Sequence, residues 1–378
     1  MADSRPLGGR RVAEVLATST GGVGTHLRSV LPALAEAGAE VTVCGPAATD
    51  ALFGFSAAAS FRPVEISAGL DPVADARAVL ALRRAAAGAD LVHAHGLRAG
   101  LVAAAAVRSA ARRPLVVTLH NALPERGGPL RRVLASAERA TVRAADVVLA
   151  ASGDLAANAR RLGARDVRVA PVSAPALPPA RRSREEVRAG LGLADGRPLV
   201  LAVGRLHPQK GYDVLLDAAA TWAGDGWAGD GQPPLVAVAG DGPLEAELTA
   251  RIVSQRLPVT LLGRRDDVAD LLAAADLVVL PSRWEARSLT AQEALRAGTP
   301  LVATRAGGLP ELLGDAALLV PPGDAAALAG AVRDLLADPA RAASLAQAGR
   351  EQAAGWPDEA ATARTLVAVY RELLGPPR

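Results

Sequence analysis

Just past its midpoint the chain reads Pro198-Leu199-Val200-Leu201-Ala202-Val203-Gly204-Arg205-Leu206-His207-Pro208-Gln209-Lys210-Gly211. The apolar run up to Val203 predicts a buried strand, and the residues after it predict a turn that opens a helix. The start of a helix carries free backbone N–H groups, and Arg205 and Lys210 add two cations to this turn. The stretch therefore predicts a strand, turn and helix that bind an anion, most commonly a phosphate.

Lys210 is the only lysine among the 42 basic residues of the chain. A solitary lysine is either a remnant of compositional drift towards arginine or a position that requires a compact, mobile ammonium group. The predicted anion-binding turn favours the second explanation, and the first stays open as the alternative.

Short apolar runs alternate with longer amphipathic stretches along the whole chain. Helices are expected between strands near 11–17, 40–44, 63–66, 89–93, 114–119, 145–150 and 166–170, and again between strands near 199–203, 235–239, 258–262, 276–280, 300–303 and 316–320. This alternation predicts an α/β protein with two doubly wound, Rossmann-like parallel-sheet domains. We expect the domains to face a cleft, with the ligand beyond the carboxyl ends of the strands.

A proline-rich and charged segment separates the two sets of strands. We expect an amino-terminal domain over 1–172, a linker with a short helix over 173–197 and a second domain over 198–355. The remaining residues, 356–378, predict a helix that packs back on the amino-terminal domain.

Composition narrows the class of protein. Hydrophobic residues make up 50% of the chain and aromatic residues only 2%, so Ala, Val and Leu must fill the cores. The formal charge is +3 and the sequence pI is about 9.7. No basic stripe interleaved with aromatic residues accompanies this charge, which argues against a nucleic-acid partner.

The single cysteine, Cys44, is expected to be a buried core residue in a reducing compartment. The amino terminus lacks a secretory pattern, and the longest apolar stretch falls short of the about 20 residues of a membrane span. We therefore expect a cytoplasmic protein, at most peripheral on the inner membrane face. In the predicted helix Leu130 to Arg143, a solvated arginine face is favoured over membrane docking. A tandem Trp-Ala-Gly-Asp-Gly at 222–231 predicts a duplicated surface loop.

Four of the five histidines, His93, His95, His120 and His207, lie at or just after the ends of predicted strands, and His26 lies at the first helix. This placement predicts a shared polar cleft. The pair His93 and His95 could ligate a metal, but no cysteine or carboxylate cluster with ligand spacing accompanies it, so no metal is expected. His120 ends a strongly apolar strand and is the preferred functional histidine, whereas His93 suits a structural role.

A glycine turn, Thr20-Gly21-Gly22-Val23-Gly24-Thr25-His26, precedes an amphipathic helix. Gly22 and Gly24 would let the backbone approach a ligand closely. The dinucleotide pattern G-x-G-x-x-G fails because Leu27 replaces its last glycine, and no Walker sequence is present. A nicotinamide dehydrogenase is therefore disfavoured.

The densest group of polar residues is Pro281-Ser282-Arg283-Trp284-Glu285-Ala286-Arg287-Ser288-Leu289-Thr290-Ala291-Gln292-Glu293. If a helix starts near Ser288, the N–H groups of Ser288, Leu289 and Thr290 can cradle a phosphate. Glu285 then lies in the preceding turn and Glu293 further along the helix. The two carboxylates suit hydrogen bonds to different hydroxyl groups of one ligand better than a hydrolytic pair, and two unrelated surface residues are the alternative.

Together these residues resemble the retaining glycosyltransferases of family 4, the glycosyl transferases group 1, which have the GT-B fold. The resemblance covers nearly the whole chain. It rests on the Gly21 to Gly24 turn, His120, the segment Gly204 to Gly211, Gly240-Asp241-Gly242-Pro243, the E-x7-E pair Glu285 and Glu293, and Gly307-Gly308-Leu309-Pro310-Glu311.

The resemblance implies an enzyme of hexosyltransferase type whose second domain binds a nucleoside-diphosphate sugar and whose first domain holds the acceptor. It implies that Arg205 and Lys210 bind the diphosphate and promote its departure, that Glu293 holds the ribose hydroxyls, and that Glu285 contacts the donor sugar. His120 matches the family's histidine near the sugar. The predicted catalytic residues are thus His120, Glu285, Lys210 and Arg205.

The resemblance also implies retention of the anomeric configuration and no cofactor besides the donor co-substrate. The acceptor is an unidentified small molecule, lipid or glycan. Where the family often has Gly-Phe-Gly, this chain has Ala286-Arg287-Ser288, and Arg287 is expected to reach solvent. A non-catalytic nucleotide-sugar-binding protein and a nucleotide-sugar epimerase on the same fold are the alternatives.

Overall fold

A computed structural model describes residues 5–107, 113–123, 129–193, 196–223, 227 and 232–376. The chain forms two compact units. Unit 1 comprises Met1–Pro175 and Pro357–Arg378, and unit 2 comprises Ala176–Trp356. Most of the tandem segment at 222–231 lies outside the described residues.

The strands are short and mostly buried. They are β1 (Arg11–Leu16), β2 (Glu40–Gly45), β3 (Ser60–Pro63), β4 (Leu91–His95), β5 (Leu115–Leu119), β6 (Val147–Ala150), β7 (Val167–Val169), β8 (Leu199–Val203), β9 (Leu235–Ala239), β10 (Val259–Leu261), β11 (Leu277–Leu280), β12 (Leu301–Thr304) and β13 (Leu318–Val320).

Helices connect the strands. They are α1 (Gly22–Glu36), α2 (Ala47–Phe53), α3 (Pro72–Ala85), α4 (Gly96–Val107), α5 (Pro129–Ala144), α6 (Gly153–Leu162), α7 (Arg184–Gly190), α8 (Tyr212–Ala223), α9 (Glu245–Gln255), α10 (Val268–Ala274), α11 (Leu289–Ala297), α12 (Leu309–Leu313), α13 (Ala325–Leu336), α14 (Pro339–Ala354) and α15 (Glu359–Leu374). Short 3-10 turns occupy Phe55–Ala57 and Pro208–Lys210.

Each unit has its own parallel sheet. Unit 1 has seven strands in the order β3-β2-β1-β4-β5-β6-β7, and unit 2 has six in the order β10-β9-β8-β11-β12-β13. In both sheets the strand order reverses beside the first strand of the unit, which is where ligands bind in open α/β sheets. The predicted fold, two Rossmann-like α/β domains, is confirmed.

The third predicted strand is displaced. It was expected near 63–66, but β3 covers Ser60–Pro63 and pairs with β2 from Thr42↔Ser60 to Gly45↔Pro63. Val64 and Ile66 are buried all the same, and the backbone N–H of Val64 donates to the carbonyl of Gly45. The apolar signal marked a buried loop at the sheet edge and not the strand itself.

Helix α15 belongs to unit 1, where it packs against α1. Leu27, Leu31 and Leu34 of α1 share a core with Leu366 and Tyr370 of α15, and all five are at most 2% exposed. Full burial of a leucine side chain contributes roughly 1.5–3 kcal/mol, so this contact is a substantial part of the stability of unit 1.

The segment predicted as a linker, 173–197, divides between the units. Residues from Ala176 onward belong to unit 2, where α7 packs against α10. Arg182 forms ion pairs with Asp267 and Asp270, and the backbone N–H of Arg181 donates to Asp270 at 2.6 Å. Most of this segment is therefore a docked part of unit 2.

Helix α5 carries Arg132, Arg139 and Arg143 on its exposed side, whereas Thr141 and Val142 are buried. Arg143 also donates to the carbonyl of Leu162 at 3.0 Å. Across the described ranges, no helix has both the length and the apolar character needed to cross a bilayer.

Candidate functional site

The turn after β8 presents Lys210. Its 3-10 turn, Pro208–Lys210, begins at His207, whose Nδ1 accepts a hydrogen bond from the backbone N–H of Gln209 at 3.3 Å. Gly211 ends the turn with φ +67°, and a Cβ there would clash with the carbonyl oxygen of Pro281. Only glycine fits this left-handed, close-packed position, so the turn lies directly against the segment that follows β11.

The Lys210 ammonium forms an ion pair with Glu285, with Nζ and Oε1 2.6 Å apart. Ser282 Oγ donates to the same carboxylate oxygen at 2.7 Å. The side chains of Lys210 and Glu285 are only 20% and 8% exposed. Removal of one partner from such a buried pair leaves the other charge uncompensated, which is strongly unfavourable.

The Gly-Gly-Leu-Pro-Glu segment holds Glu285 in place. The backbone N–H of Gly308 donates to the Glu285 carbonyl at 2.8 Å. Gly307 has φ +56°, and a Cβ there would clash with that same carbonyl oxygen. From the other side, Gln209 Nε2 donates to the carbonyl of Trp284 at 2.9 Å. Motif glycines and polar side chains thus fix the backbone on which Glu285 stands.

Helix α11 begins where the sequence predicted, at Leu289 with Ser288 as its N-cap. Ser288 Oγ accepts from the backbone N–H of Ala291 at 3.3 Å, and Thr290 Oγ1 donates to the carbonyl of Val203 at 3.2 Å. The second bond ties the start of α11 to the end of β8. The first N–H groups of α11 therefore lie beside the turn that carries Lys210.

Glu293 lies in the second turn of α11. Burial raises the pKa of its carboxyl to about 7, although the positive charges of Arg296 and Lys210 act in the opposite direction. A carboxyl group with this pKa is partly protonated at neutral pH, so a nearby cation or a hydrogen-bond donor can shift it to the charged form.

Arg205 is exposed on the same turn as Lys210. Burial lowers the pKa of His207, and the charges of Arg205 and Lys210 lower it further. His207 is therefore a neutral residue beside two cations, and the turn has a net positive charge.

Arg287 is only partly exposed, whereas the sequence predicted that it reaches solvent. Its guanidinium lies 5.5 Å from the centre of the Trp356 ring, a cation–π arrangement. Among the described residues, its Nε and Nη2 atoms are buried without a hydrogen-bond partner, and burial lowers its pKa. Trp356 is distant from Arg287 in the sequence, so no local pattern could have predicted this contact.

In unit 1, four histidines gather around the central strands. The rings of His26, His95 and His120 lie 5.5–5.9 Å apart, and His93 lies 4.2 Å from His95. His95 ends β4 and His120 directly follows β5, the neighbouring strand. These four histidines therefore form one cluster in unit 1.

His207 belongs to unit 2, as expected from the strand near 199–203 that precedes it, while His26 of α1 joins the cluster in unit 1. That His207 shares a cleft with the other histidines stays a prediction.

Glu14 of β1 is the site residue that sequence analysis missed. Its side chain is fully buried and lies 2.8 Å from Nε2 of His95 and 3.2 Å from Nδ1 of His93, and Tyr370 donates to it at 2.7 Å. Burial acts to raise the pKa of Glu14, but His93 and His95 outweigh it and hold that pKa far below its usual range. In the sequence, Glu14 only interrupts the short apolar run from Val12 to Ala17.

The absence of a carboxylate near His93 and His95, assumed from the sequence, is therefore wrong. One ligand atom from each of Glu14, His93 and His95 lies within 4.8 Å of the others. These atoms already hydrogen-bond to one another and to Tyr370. Both ring nitrogens of His93 are occupied, one by Tyr370 and one by Thr118 at 2.7 Å. The arrangement is that of a completed hydrogen-bond network.

The two glycines predicted to approach a ligand differ from each other. Helix α1 already begins at Gly22, which is exposed. Gly24 is buried, and a Cβ there would clash with the ring of Phe53. The missing side chain of Gly24 therefore makes room for the ring of Phe53, and a contact of Gly22 or Gly24 with a ligand stays a prediction.

Comparison with known proteins assigns both units to one family. The family described as glycosyl transferases group 1 matches residues 183–352, and the glycosyl transferase 4-like domain matches residues 21–175. D-inositol 3-phosphate glycosyltransferase 1 of Catenulispora acidiphila is 32% identical over 333 residues, which are 82% of this chain and 79% of that protein. The chain belongs to the group 1 glycosyltransferases of family 4.

A second relative of this group 1 chain is the 2-deoxystreptamine N-acetyl-D-glucosaminyltransferase of Streptomyces fradiae. It is 34% identical over 272 residues, which are 67% of this chain and 64% of that protein. The chain thus spans somewhat less than two thirds of that relative.

Solved structures agree with the fold of the group 1 enzymes. Sucrose-phosphate synthase from Thermosynechococcus elongatus has a TM-score of 0.77 at 25% identity, with 96% of this chain and 99% of that chain covered. Anabaena HepE in complex with UDP-glucose has a TM-score of 0.78 at 23% identity, with 96% and 99% covered. The family and the GT-B fold expected from the sequence are confirmed.

Proposed function

We propose that this chain transfers a sugar from a nucleoside-diphosphate sugar to a hydroxyl-bearing acceptor. The observation that carries the proposal is the Lys210–Glu285 pair at the start of α11 in unit 2. A cation, a helix N-terminus and a carboxylate together offer partners for a diphosphate and for the sugar attached to it.

The diphosphate is held by the Lys210 ammonium, the Arg205 guanidinium and the N–H groups of Ser288, Leu289 and Thr290. Apart from the exposed Arg205, these groups are donors in a partly buried position, where charge-assisted hydrogen bonds are stronger than in water. When the bond between the anomeric carbon and the β-phosphate oxygen breaks, negative charge grows on the diphosphate. The cations therefore stabilise the transition state more than the bound donor.

Lys210 exchanges partners when the donor binds. In the free chain its ammonium forms an ion pair with Glu285. A bound diphosphate competes for the ammonium and leaves the Glu285 carboxylate to accept hydrogen bonds from sugar hydroxyls. The carboxylate keeps the hydrogen bond from Ser282, which holds its orientation.

Glu293 accepts hydrogen bonds from the ribose hydroxyls in its ionised form. A pKa of about 7 makes that form available near neutral pH. The nearby charge of Lys210 favours ionisation, so the diphosphate-binding lysine and the ribose-binding carboxylate support each other.

The reaction needs no metal in this proposal, because Lys210, Arg205 and the α11 N–H groups balance the charge of the diphosphate. We propose retention of the anomeric configuration. The acceptor oxygen forms the new bond to the anomeric carbon, and its proton passes to the departing phosphate oxygen. His120 of unit 1 is proposed to hydrogen-bond the sugar substrates.

The acceptor is proposed to be a small polyol, a glycan or a lipid headgroup. Two relatives are named for cyclitol acceptors, D-inositol 3-phosphate and 2-deoxystreptamine. Cyclitols are therefore the first acceptors to screen.

The test combines binding with turnover. UDP-, GDP- and ADP-sugars are screened for thermal stabilisation, since a ligand that binds only the folded state raises the melting temperature. The stabilising donor is then incubated with candidate acceptors, and products are identified by mass spectrometry. A glycosylated acceptor supports the proposal. Stabilisation without any product indicates a binding protein, and a changed donor sugar without acceptor indicates an epimerase.

A further inference from the structure

A buried chain of hydrogen bonds leads from the carboxy-terminal helix to His120. Tyr370 of α15 donates to Glu14 Oε1 at 2.7 Å, and Glu14 Oε2 lies 2.8 Å from Nε2 of His95. Nδ1 of His95 then lies 3.3 Å from Nε2 of His120. Glu14 and His95 are at most 3% exposed, and His120 is 8% exposed.

The direction of these hydrogen bonds follows from the chemistry of their groups. An ionised carboxylate only accepts, so Nε2 of His95 carries a proton. Burial lowers the pKa of His95, which is therefore neutral at pH 7, and its Nδ1 is a bare acceptor. Nε2 of His120 must then donate to that acceptor.

This leaves Nδ1 of His120 without a proton. Burial is the largest cause that lowers the pKa of His120, and the neighbouring His26, His95 and His93 lower it further. His120 is therefore a neutral imidazole with its proton on Nε2. Among the described residues, no hydrogen bond to Nδ1 of His120 is found.

We propose that Glu14 and His95 are positioning residues that fix the tautomer of His120, so that its Nδ1 is a hydrogen-bond acceptor for a substrate hydroxyl group. The role towards a hydroxyl rests on the proposed function, whereas the tautomer itself does not. The groups that face His120 are His95 of β4 and His26 of α1, and the charge of Glu14 lies one residue further along the chain of bonds.

The sharpest variant is Glu14→Gln. Tyr370 donates to Oε1, so the amide oxygen takes that position and the amide NH₂ group faces His95. A donor at this position requires Nε2 of His95 to accept, which moves the His95 proton to Nδ1. His95 then donates to Nε2 of His120, and the His120 proton moves to Nδ1. The variant is nearly isosteric, keeps the bond from Tyr370 and reverses the two bonds that lead from residue 14 to His120.

A matched control is Thr118→Val. Thr118 is buried and bonds to Nε2 of His93, so it belongs to the same buried cluster but not to the chain that ends at His120. The control loses one buried hydrogen bond and some stability. Its His120 tautomer is expected to be that of the wild type.

The experiment determines the histidine tautomers by NMR of protein labelled with ¹³C and ¹⁵N histidine. The chain has five histidines to assign. The resonances of His120 are identified by their loss in His120→Gln. We expect the Nε2–H tautomer in the wild type and in Thr118→Val, and the Nδ1–H tautomer in Glu14→Gln. An Nδ1–H or doubly protonated His120 in the wild type at pH 7 overturns the proposal, even if Glu14→Gln fails to fold. So does an unchanged tautomer in a folded Glu14→Gln.

Activity supplies the second readout. Glu14→Gln should lower kcat by about tenfold or more, because the substrate hydroxyl meets a donor instead of an acceptor. The affinity for the nucleoside-diphosphate sugar should change little, since Lys210 and Arg205, which are proposed to bind its diphosphate, lie in unit 2. Equal losses of kcat in Glu14→Gln and Thr118→Val would indicate that Glu14 has only a structural role. If no donor and acceptor give a product, the proposed function fails, while the tautomer measurement stands on its own.

Discussion

At the scale of single residues, the contacts of Lys210 suit a lysine better than an arginine. Its ammonium is a compact charge that reaches a carboxylate oxygen which also accepts a bond from Ser282. A guanidinium is larger, planar and more delocalised, and it prefers two parallel hydrogen bonds. The buried pocket around Glu285 suits the smaller group.

Replacement of Lys210 should therefore be costly even by arginine. We expect Lys210→Ala to lower kcat about 10²-fold, the usual loss for one preorganised donor at a developing anion. Lys210→Arg should recover only a small part of this loss. Steady-state kinetics with the identified donor measures both variants. Arg341→Lys, at an exposed position near the start of α14, is the control and should keep the wild-type kcat. Wild-type rates in Lys210→Arg would show that the lysine is a compositional remnant.

Glu293 predicts a pH effect on stability. Its pKa is about 7 in the folded chain and near the ordinary 4.5 in the unfolded chain, so the folded state holds a proton that the unfolded state releases. Stability from this group is thus present at low pH and is lost as the pH rises from about 4.5 to about 7. Glu293→Gln should be more stable than the wild type by roughly 1–3 kcal/mol above pH 7, and no different near pH 4.

The same group predicts the pH dependence of donor binding. Only the ionised carboxylate accepts two ribose hydroxyl bonds, so donor affinity should weaken as the pH falls below about 7. Glu293→Gln should bind more weakly above pH 7 and lose this dependence. Calorimetric titrations from pH 5.5 to 8.5, roughly the range over which the group changes charge, test this. A wild-type affinity that stays constant across the range contradicts the role of Glu293.

At the scale of elements, glycines let neighbouring loops pack closely enough to hold each other in place. Gly307→Ala would place a Cβ against the carbonyl of Glu285 in a left-handed conformation. We expect it to shift Glu285, lower the melting temperature and weaken donor binding about tenfold or more.

Gly323→Ala is the control for this prediction, because Gly323 also has a left-handed φ of +80° but has nothing within 4 Å of a Cβ. It should cost only the conformational strain of about 1–2 kcal/mol, with unchanged donor affinity. Equal donor affinities in the two variants would show that the Gly307 contact does not position Glu285.

Helix α15 makes a prediction about stability. Leu366 is 2% exposed in the core that α15 shares with α1, so Leu366→Ala should destabilise unit 1 by about 2–5 kcal/mol. Glu372→Ala on the same helix removes an exposed pair with Arg168 and should cost less than about 1 kcal/mol. Chemical denaturation of both variants measures the difference, and similar small losses would mean that α15 contributes little to unit 1.

Most elements could be predicted from the sequence because buried parallel strands are continuous apolar runs. The exceptions have physical causes. Val64 and Ile66 are apolar and buried but lie outside the sheet ladder. They therefore shifted the predicted position of β3 along the chain. Periodicity reports burial and cannot distinguish a buried loop from a strand.

The candidate site was predictable only in part for a related reason. Lys210, Glu285 and the start of α11 carry local motifs, and the structure brings them together. Glu14 and Arg287 have partners that are distant in the sequence, and their environment depends on packing that no local pattern encodes. Buried charges of this kind are visible only when the partner strands and helices are placed.

At the scale of the whole molecule, the two units carry different chemistry. Unit 2 provides cations, a helix N-terminus and carboxylates, which suit an anionic donor. Unit 1 provides a histidine cluster around a buried carboxylate, which suits hydroxyl groups. Both sets of residues stand where the strand order reverses within their own sheets.

The most direct test of the central claim is a crystal structure with a bound nucleoside-diphosphate sugar. The account predicts phosphate oxygens within hydrogen-bond distance of Lys210 Nζ and of the first N–H groups of α11, with Glu285 turned to the sugar. A diphosphate bound elsewhere on the chain, with Lys210 still paired to Glu285, would contradict it.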